Sequence, residues 1–270
     1  MLQRVLFSIC SLLPIIHAHG TDAHHLEHRN VATEVITACK TSKTFALTFD
    51  DGPYIYENKI SDYLVKNGIR GTFFINGYNF DCIYNQQIVD QLTHTFKQGH
   101  LIGSHTWSHP NITLLTATQL NRELELVETA MKKILGVVPR YFRPPYGAIT
   151  EENLIVLKKR GYTVVNWNLD SGDSLGLTAA ESMKEYDQTA RKYPRPQISL
   201  NHETKQPTAE SVTPYAVTAL KKAGYRLVDV AECLGLPSTP AQFYQSVGKP
   251  QKRDSSWTCE GTPVPGAPIV

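Results

Sequence analysis

Two short segments carry the side chains best suited to chemistry. They are Thr48-Phe49-Asp50-Asp51-Gly52-Pro53 and His105-Thr106-Trp107-Ser108-His109-Pro110. His105 and His109 are four residues apart, so one helical turn would point both imidazoles the same way. Two neutral imidazoles and one carboxylate are a common ligand set for a catalytic zinc ion with an open position. The Asp50–Asp51 pair supplies that carboxylate and leaves one acid over. A water activated by a metal also needs a base beside it. Zinc proteases keep a Glu between the histidines for this purpose. Here Thr106, Trp107 and Ser108 occupy that interval. The base must come from elsewhere, and Asp50 or Asp51 is the obvious supplier.

These side chains need a scaffold that brings them together. From Lys43 onward, short apolar runs alternate with amphipathic stretches. The pattern predicts strands over 44–49, 71–75, 100–103, 140–143, 162–168, 197–200 and 225–230. It predicts helices over 55–66, 86–97, 118–135, 151–159, 178–192 and 213–223. The longest of these helices carries Leu120, Leu124, Val127, Met131 and Ile134 on one side. Strands alternating with helices imply an α/β protein with a parallel sheet. About seven units in roughly two hundred residues fit a distorted (β/α) barrel, with a doubly wound open sheet as the competing arrangement. The reactive residues recur at predicted strand ends: Asp50 and Asp51, His105 and His109, Arg143, Asp170 and Asp173, and His202. In a parallel barrel those ends share one face, which carries the active site.

The bulk properties exclude several function classes. The chain has 270 residues and a formal net charge of +2, with no block of like charges. Nothing in that balance calls for nucleic acid or an anionic membrane. Residues 1–20 read as a secretory signal: Arg4 precedes an apolar run from Val5 to Ile16 that is too short to span a bilayer. Residues 21–38 read as a solvated leader, 39–236 hold the alternating strands and helices, and 237–270 read as an irregular tail rich in Pro, Ser and Gly. A secreted, extracellular or cell-wall location follows, where thiols are mostly oxidised. Cys39, Cys82, Cys233 and Cys259 remain after the signal, with three pairings open to them. Asn111-Ile112-Thr113 is the sole N-glycosylation sequon.

Taken in order, five segments resemble the polysaccharide deacetylases, the NodB-homology or family 4 carbohydrate esterases, and among them most of all fungal chitin deacetylases. The segments are Thr-Phe-Asp-Asp-Gly-Pro at 48–53, His-Thr-Trp-Ser-His at 105–109, Arg-Pro-Pro-Tyr-Gly at 143–147, Trp-Asn-Leu-Asp-Ser-Gly-Asp at 167–173 and Leu-Asn-His at 200–202. The resemblance covers about residues 39–236. It implies one divalent metal, zinc before cobalt or manganese, held by Asp51, His105 and His109. It implies Asp50 as general base, with Arg143 orienting it through a bidentate contact. His202 is then the general acid, with Asp170 holding it oriented and charged. Leu200 and Trp167 line the pocket for the acetyl methyl, and the backbone N–H of Tyr146 stabilises the oxyanion. In many relatives an aromatic residue follows the second Asp of the fourth segment, but here it is Ser174. Trp107 or Tyr146 is expected to contribute more to the sugar pocket in its place. The resemblance also implies a Cys39–Cys233 disulfide, and Cys82 then pairs with Cys259.

The implied activity is removal of N-acetyl groups from chitin or chitin oligomers by a monomeric enzyme. An O-acetyl xylan esterase on the same metal site and a non-catalytic chitin-binding wall protein are the alternatives. A sugar-phosphate barrel is disfavoured because no Gly-rich phosphate loop follows the late strands.

Overall fold

Leu47 divides the first β-forming run. In the computed structural model, which describes residues 34–266, the single strand predicted over 44–49 is two, β1 (Thr44–Ala46) and β2 (Thr48–Gly52). There follow α1 (Glu57–Lys66), β3 (Thr72–Ile75), α2 (Gln86–Lys97), β4 (Leu101–Ser104), α3 (Ala117–Ile134), β5 (Val137–Pro139) and β6 (Tyr141–Phe142). The chain continues through α4 (Glu151–Lys159), β7 (Thr163–Val164), β8 (Leu169–Asp170), α5 (Ala179–Ala190), β9 (Gln197–Leu200), α6 (Thr213–Ala223) and β10 (Arg226–Val228). It closes with α7 (Val230–Cys233), α8 (Pro240–Phe243) and β11 (Tyr244–Val247). The expected signal at 1–20 and the expected leader as far as residue 33 lie outside the described residues.

The helices start where the sequence offers caps. Thr116, Thr150 and Thr178 each open a helix with a reciprocal capping box, satisfying two otherwise orphaned N–H groups per helix. Gly224, at φ 102°, closes α6 in a conformation that side chains resist. The predicted face of α3 is the buried one, Leu120 to Ile134. It packs into an interior where Phe45, Phe49, Phe73 and Phe74 are fully buried. Each such side chain contributes roughly 1.5–3 kcal/mol of burial.

β2, β3, β4, β6 and β7 form one parallel sheet in that order, and β10, β1, β9 and β8 form a second. The sheets meet where the first run changes partners. Leu47 O accepts the Thr72 N–H, and beyond it Asp50 bridges His202 in parallel. The order is therefore β8, β9, β1 with β2, β3, β4, β6, β7. β10 flanks β1 on the side away from β9, so the seven strands expected for the distorted barrel are present as β1 with β2, β3, β4, β6, β7, β9 and β10, and β8 is an addition. Among the described residues no ladder joins β7 to β8, so hydrogen bonding leaves the ring open at that seam.

Two expectations change. The strand predicted over 162–168 stops at Val164. Val165 then bridges Ile36, and the chain re-enters as β8, which puts Asp170 inside a strand rather than after one. The stretch 237–270 is not irregular throughout: β11 pairs antiparallel with β5, and Phe243 and Tyr244 are buried. The Pro- and Ser-rich composition around that aromatic pair hides the strand from a periodicity reading. Disulfides join Cys39 to Cys233 and Cys82 to Cys259. No helix among the described residues is long and apolar enough to cross a membrane.

Candidate active site

Backbone hydrogen bonds set the strand ends side by side. Asp50 N–H donates to Asn201 O at 2.8 Å, Asn76 to Gly52 O at 2.7 Å, His105 to Ile75 O at 2.8 Å and Arg143 to Ser104 O at 3.0 Å. His202, Asp50, His105 and Arg143 thus follow one another around a single rim, at the carboxyl ends of neighbouring parallel strands.

A regular strand would point Asp50 and Asp51 to opposite faces. The ladder between β2 and β3 shifts register between Asp50 and Gly52, and Asp51 has φ 72°. This bulge re-aims the second carboxylate toward the same pocket as the first. The imidazoles converge by a similar device. His105 to His109 is not a helical turn, contrary to the spacing argument; it is an irregular loop with Thr106 at φ 71° and His109 at φ 57°. Tyr146, at φ 60°, is a third loop with left-handed backbone. Such residues cost on the order of 1–3 kcal/mol each and persist only where the surroundings impose them. Gly52 is needed for space, because a Cβ there would lie 1.7 Å from the buried Glu203 carboxylate, which accepts the Tyr54 N–H at 3.1 Å.

Asp51, His105 and His109 each offer one ligand atom, all within 4.8 Å of one another. His109 Nε2 lies 3.3 Å and His105 Nε2 3.7 Å from Asp51 Oδ1. That oxygen is buried and takes no hydrogen bond among the described residues. The His105 Nδ1 contacts the Arg143 carbonyl at 2.7 Å, which makes Nδ1 the protonated nitrogen and leaves the Nε2 lone pair facing Asp51. Burial, then the neighbouring His109, holds His105 well below the ordinary imidazole range, and burial lowers His109 as well. Both rings are therefore neutral, and the donor set of two imidazoles and one carboxylate fits a zinc-type ion.

Asp50 lies beside this group and is 1% exposed. Burial raises its carboxyl to about 6, with the Arg143 charge pulling the other way. The Arg143 contact is not bidentate as expected. One N–H, from Nη1, reaches Asp50 Oδ1 at 2.8 Å, while Nε and Nη2 donate to the Val165 and Asn166 carbonyls at 3.2 Å. The rest of the fork is spent on the backbone carbonyls of the two residues that follow β7. Phe74 and Trp167 flank the guanidinium at 4.4 and 5.5 Å, and the side chain is fully buried.

His202 has the other kind of partner. Its Nδ1 meets Asp173 Oδ1 at 2.7 Å, and its backbone N–H donates to Asp173 Oδ2 at 2.8 Å. Thr208 Oγ1 donates to the same oxygen at 2.7 Å. Asp170, expected in this role, instead accepts the Gly172 N–H and faces the pocket. The two acids are three residues apart, and Asp170 is held in β8 while Asp173 lies on the loop that curls under His202. Nothing in the spacing distinguishes them. Burial is the largest influence on His202 and opposes its charge. The Asp173 hydrogen bond and the Asp173, Asp50 and Asp51 charges outweigh it and raise the imidazole to about 9.

Asp50, Asp51, His105, His109, Asp170 and His202 line one cavity of about 450 Å³ together with Pro144, Tyr146, Trp167, Leu200, Ser174 and Leu175, while Arg143 and Asp173 stand behind its wall. Leu200 and Trp167 give it an apolar wall. Tyr146 is 67% exposed at the mouth and its ring meets His109 at 4.8 Å. Leu175, which the sequence reading did not single out, stands beside Ser174 at the place expected for an aromatic residue and is 75% exposed. Trp107 is not part of the pocket: it is fully buried, with its ring packed over Gly77. Asn111 is half-buried, and its Oδ1 accepts the Thr113 N–H.

Residues 37–165 match the polysaccharide deacetylase family. A chitin deacetylase from a Pestalotiopsis species is 37% identical over 220 residues, covering 79% of this chain and 70% of that one. A chitin deacetylase from Colletotrichum lindemuthianum is 33% identical over 239 residues, covering 85% and 94%. The solved structure of the chitin deacetylase from that fungal pathogen superposes with a TM-score of 0.75 at 31% identity, covering 79% of this chain and 96% of that one. The chain belongs to the polysaccharide deacetylase family and has the fold of its family 4 carbohydrate esterases.

Proposed function

We infer that this chain is a chitin deacetylase: a metal-dependent hydrolase that removes N-acetyl groups from N-acetylglucosamine units of chitin or its oligomers. The observation that carries the reading is the pocket itself, where Asp51, His105 and His109 converge beside Asp50 and across from a charged His202. Asp51, His105 and His109 would hold the ion, zinc by its donor set, with cobalt or manganese as substitutes. Once bound, such an ion polarises a carbonyl and makes a nearby water more acidic.

The remaining work falls to side chains. Asp50, kept in place by Arg143, takes a proton from the attacking water as its oxygen bonds to the acetyl carbon. His202, kept protonated by Asp173, gives a proton to the glucosamine nitrogen as the C–N bond breaks. Acetic acid and a free amine result; the acid's proton passes to the amine, leaving acetate and an ammonium group, and the proton held by Asp50 returns to His202 through water. Leu200 and Trp167 accommodate the acetyl methyl, and the Tyr146 turn supplies the oxyanion's backbone donor. The disulfides fit an oxidising, extracellular setting, with a glycan at Asn111 and a monomeric enzyme.

The test is acetate release by the zinc-loaded full chain on chitin oligomers and, in parallel, on acetylated xylan. Faster release from chitin oligomers is expected. Equal or faster release from xylan overturns the substrate, and no release from either with zinc, cobalt or manganese overturns the enzyme reading.

A further inference from the structure

The loop that carries both imidazole ligands is not a regular element. Two of its residues, Thr106 and His109, have left-handed backbone, so its shape must be imposed from outside. From the β3 side, Asn76 Nδ2 donates to the His105 and Thr106 carbonyls at 2.5 and 3.0 Å. Gly77 and Tyr78 donate N–H groups to Trp107 O at 3.0 and 2.7 Å. From α3, Glu123 accepts both the N–H and the hydroxyl of Ser108 at 2.8 and 2.9 Å. These contacts fasten the backbone on two sides.

The third side belongs to the chain's last described segment. Trp107 lies midway between the ligands in sequence, but its side chain points into the protein. A Cβ on Gly77 would lie 1.8 Å from its ring, so glycine makes the room it fills. A buried indole N–H needs an acceptor. Here it donates to Thr262 Oγ1 at 2.9 Å, and the Thr262 hydroxyl in turn donates to Cys259 O at 2.6 Å. Cys259 is bonded to Cys82, and Tyr84 places its ring between those of Trp107 and Trp257 at 6.1 and 5.7 Å.

We propose that Thr262 is a positioning residue for the metal centre: through the Trp107 indole it holds the 105–109 loop in the one shape that brings both Nε2 atoms to Asp51. This rests on the metal-site reading above and extends that site to a segment more than 150 residues away in sequence. Without the acceptor, the buried N–H seeks another partner. The loop then gains access to less strained conformations in which the imidazoles no longer meet.

Zinc affinity of the full chain, measured by chelator competition, tests it. Thr262→Val, which keeps shape and removes the hydroxyl, is expected to weaken zinc binding about tenfold, the low end for losing an outer partner of a metal site. Thr262→Ser is expected to restore it. Trp107→Phe, which removes the N–H and keeps an aromatic ring, should match Thr262→Val, and the double variant should be no weaker than either single one. Thermal unfolding of the metal-free variants separates a general loss of stability from a loss of ligand geometry. If the parent binds zinc and Thr262→Val binds it equally well, the inference fails alone. It fails too if Thr262→Ser is as weak as Thr262→Val, or if the two losses add. A parent chain that takes up no zinc overturns the metal-centre reading together with it.

Discussion

The pocket holds imidazoles in two opposite states. On one side His105 gives its Nδ1 proton to a backbone carbonyl, and burial, unopposed by any anion in contact with that nitrogen, keeps the ring neutral. On the other, His202 presents the same nitrogen to a carboxylate, and the ring stays charged in spite of burial. A neutral carbonyl fixes the tautomer and leaves a lone pair for a metal. An anion fixes the orientation and retains a proton to give away. One residue type is therefore held in two states, one suited to bind a metal and one suited to give a proton, and the group behind Nδ1 decides which.

The largest expected effect separates the two sides outright. His109→Ala should lose bound metal and activity together, whereas His202→Ala should keep stoichiometric metal and lose only turnover. Metal content by mass spectrometry alongside acetate release checks this, and loss of metal from the His202 variant would show that the sides are not independent. Next in size, Asp50→Asn should lower turnover by about 10²–10⁴, the usual contribution of a general base, while zinc remains bound. Retention of most activity would move the base elsewhere.

A smaller and more discriminating effect concerns the two acids of the fourth segment. Asp173→Asn should remove the anion that raises His202 and shift the alkaline limb of the turnover profile from about 9 toward or below the ordinary value of 6.5. Asp170→Asn should leave that limb where it is. If Asp170→Asn moves the limb and Asp173→Asn does not, the pairing described above is wrong.

The smallest effect is on stability. Because folding raises His202 from 6.5 to about 9, the contribution of its contact with Asp173 is fully present below pH 6.5. It is lost as pH rises through 9, amounting to on the order of 3 kcal/mol. Denaturant titrations of the metal-free chain at pH 6 and pH 10 should show this decline, and Asp173→Asn should flatten it.

Much of this was legible in the residues themselves. The alternation of strand and helix placed α4 and α6 at their observed bounds, because the Thr150 cap of α4 and the closing Gly224 of α6 are local signals. The reactive residues fell at strand ends for the same reason. The strand at Tyr244 went unread because it is an edge strand whose partner, β5, lies more than a hundred residues earlier. A short segment of that kind has no periodicity of its own, and its stability comes from the pairing.

The amino-acid sequence alone determined the class of fold, the inventory of candidate ligands, base and acid, and the family to which they belong, since these depend on residue type and local spacing. The tertiary structure decided how they are used. It alone turned Asp51 by a bulge onto the face of Asp50, brought His105 and His109 together without a helix, chose Asp173 over Asp170 for His202, and withdrew Trp107 from the pocket into contact with Thr262. Each of these outcomes depends on left-handed backbone, or on a hydrogen bond between residues that only folding makes neighbours. Neither is encoded in spacing along the chain.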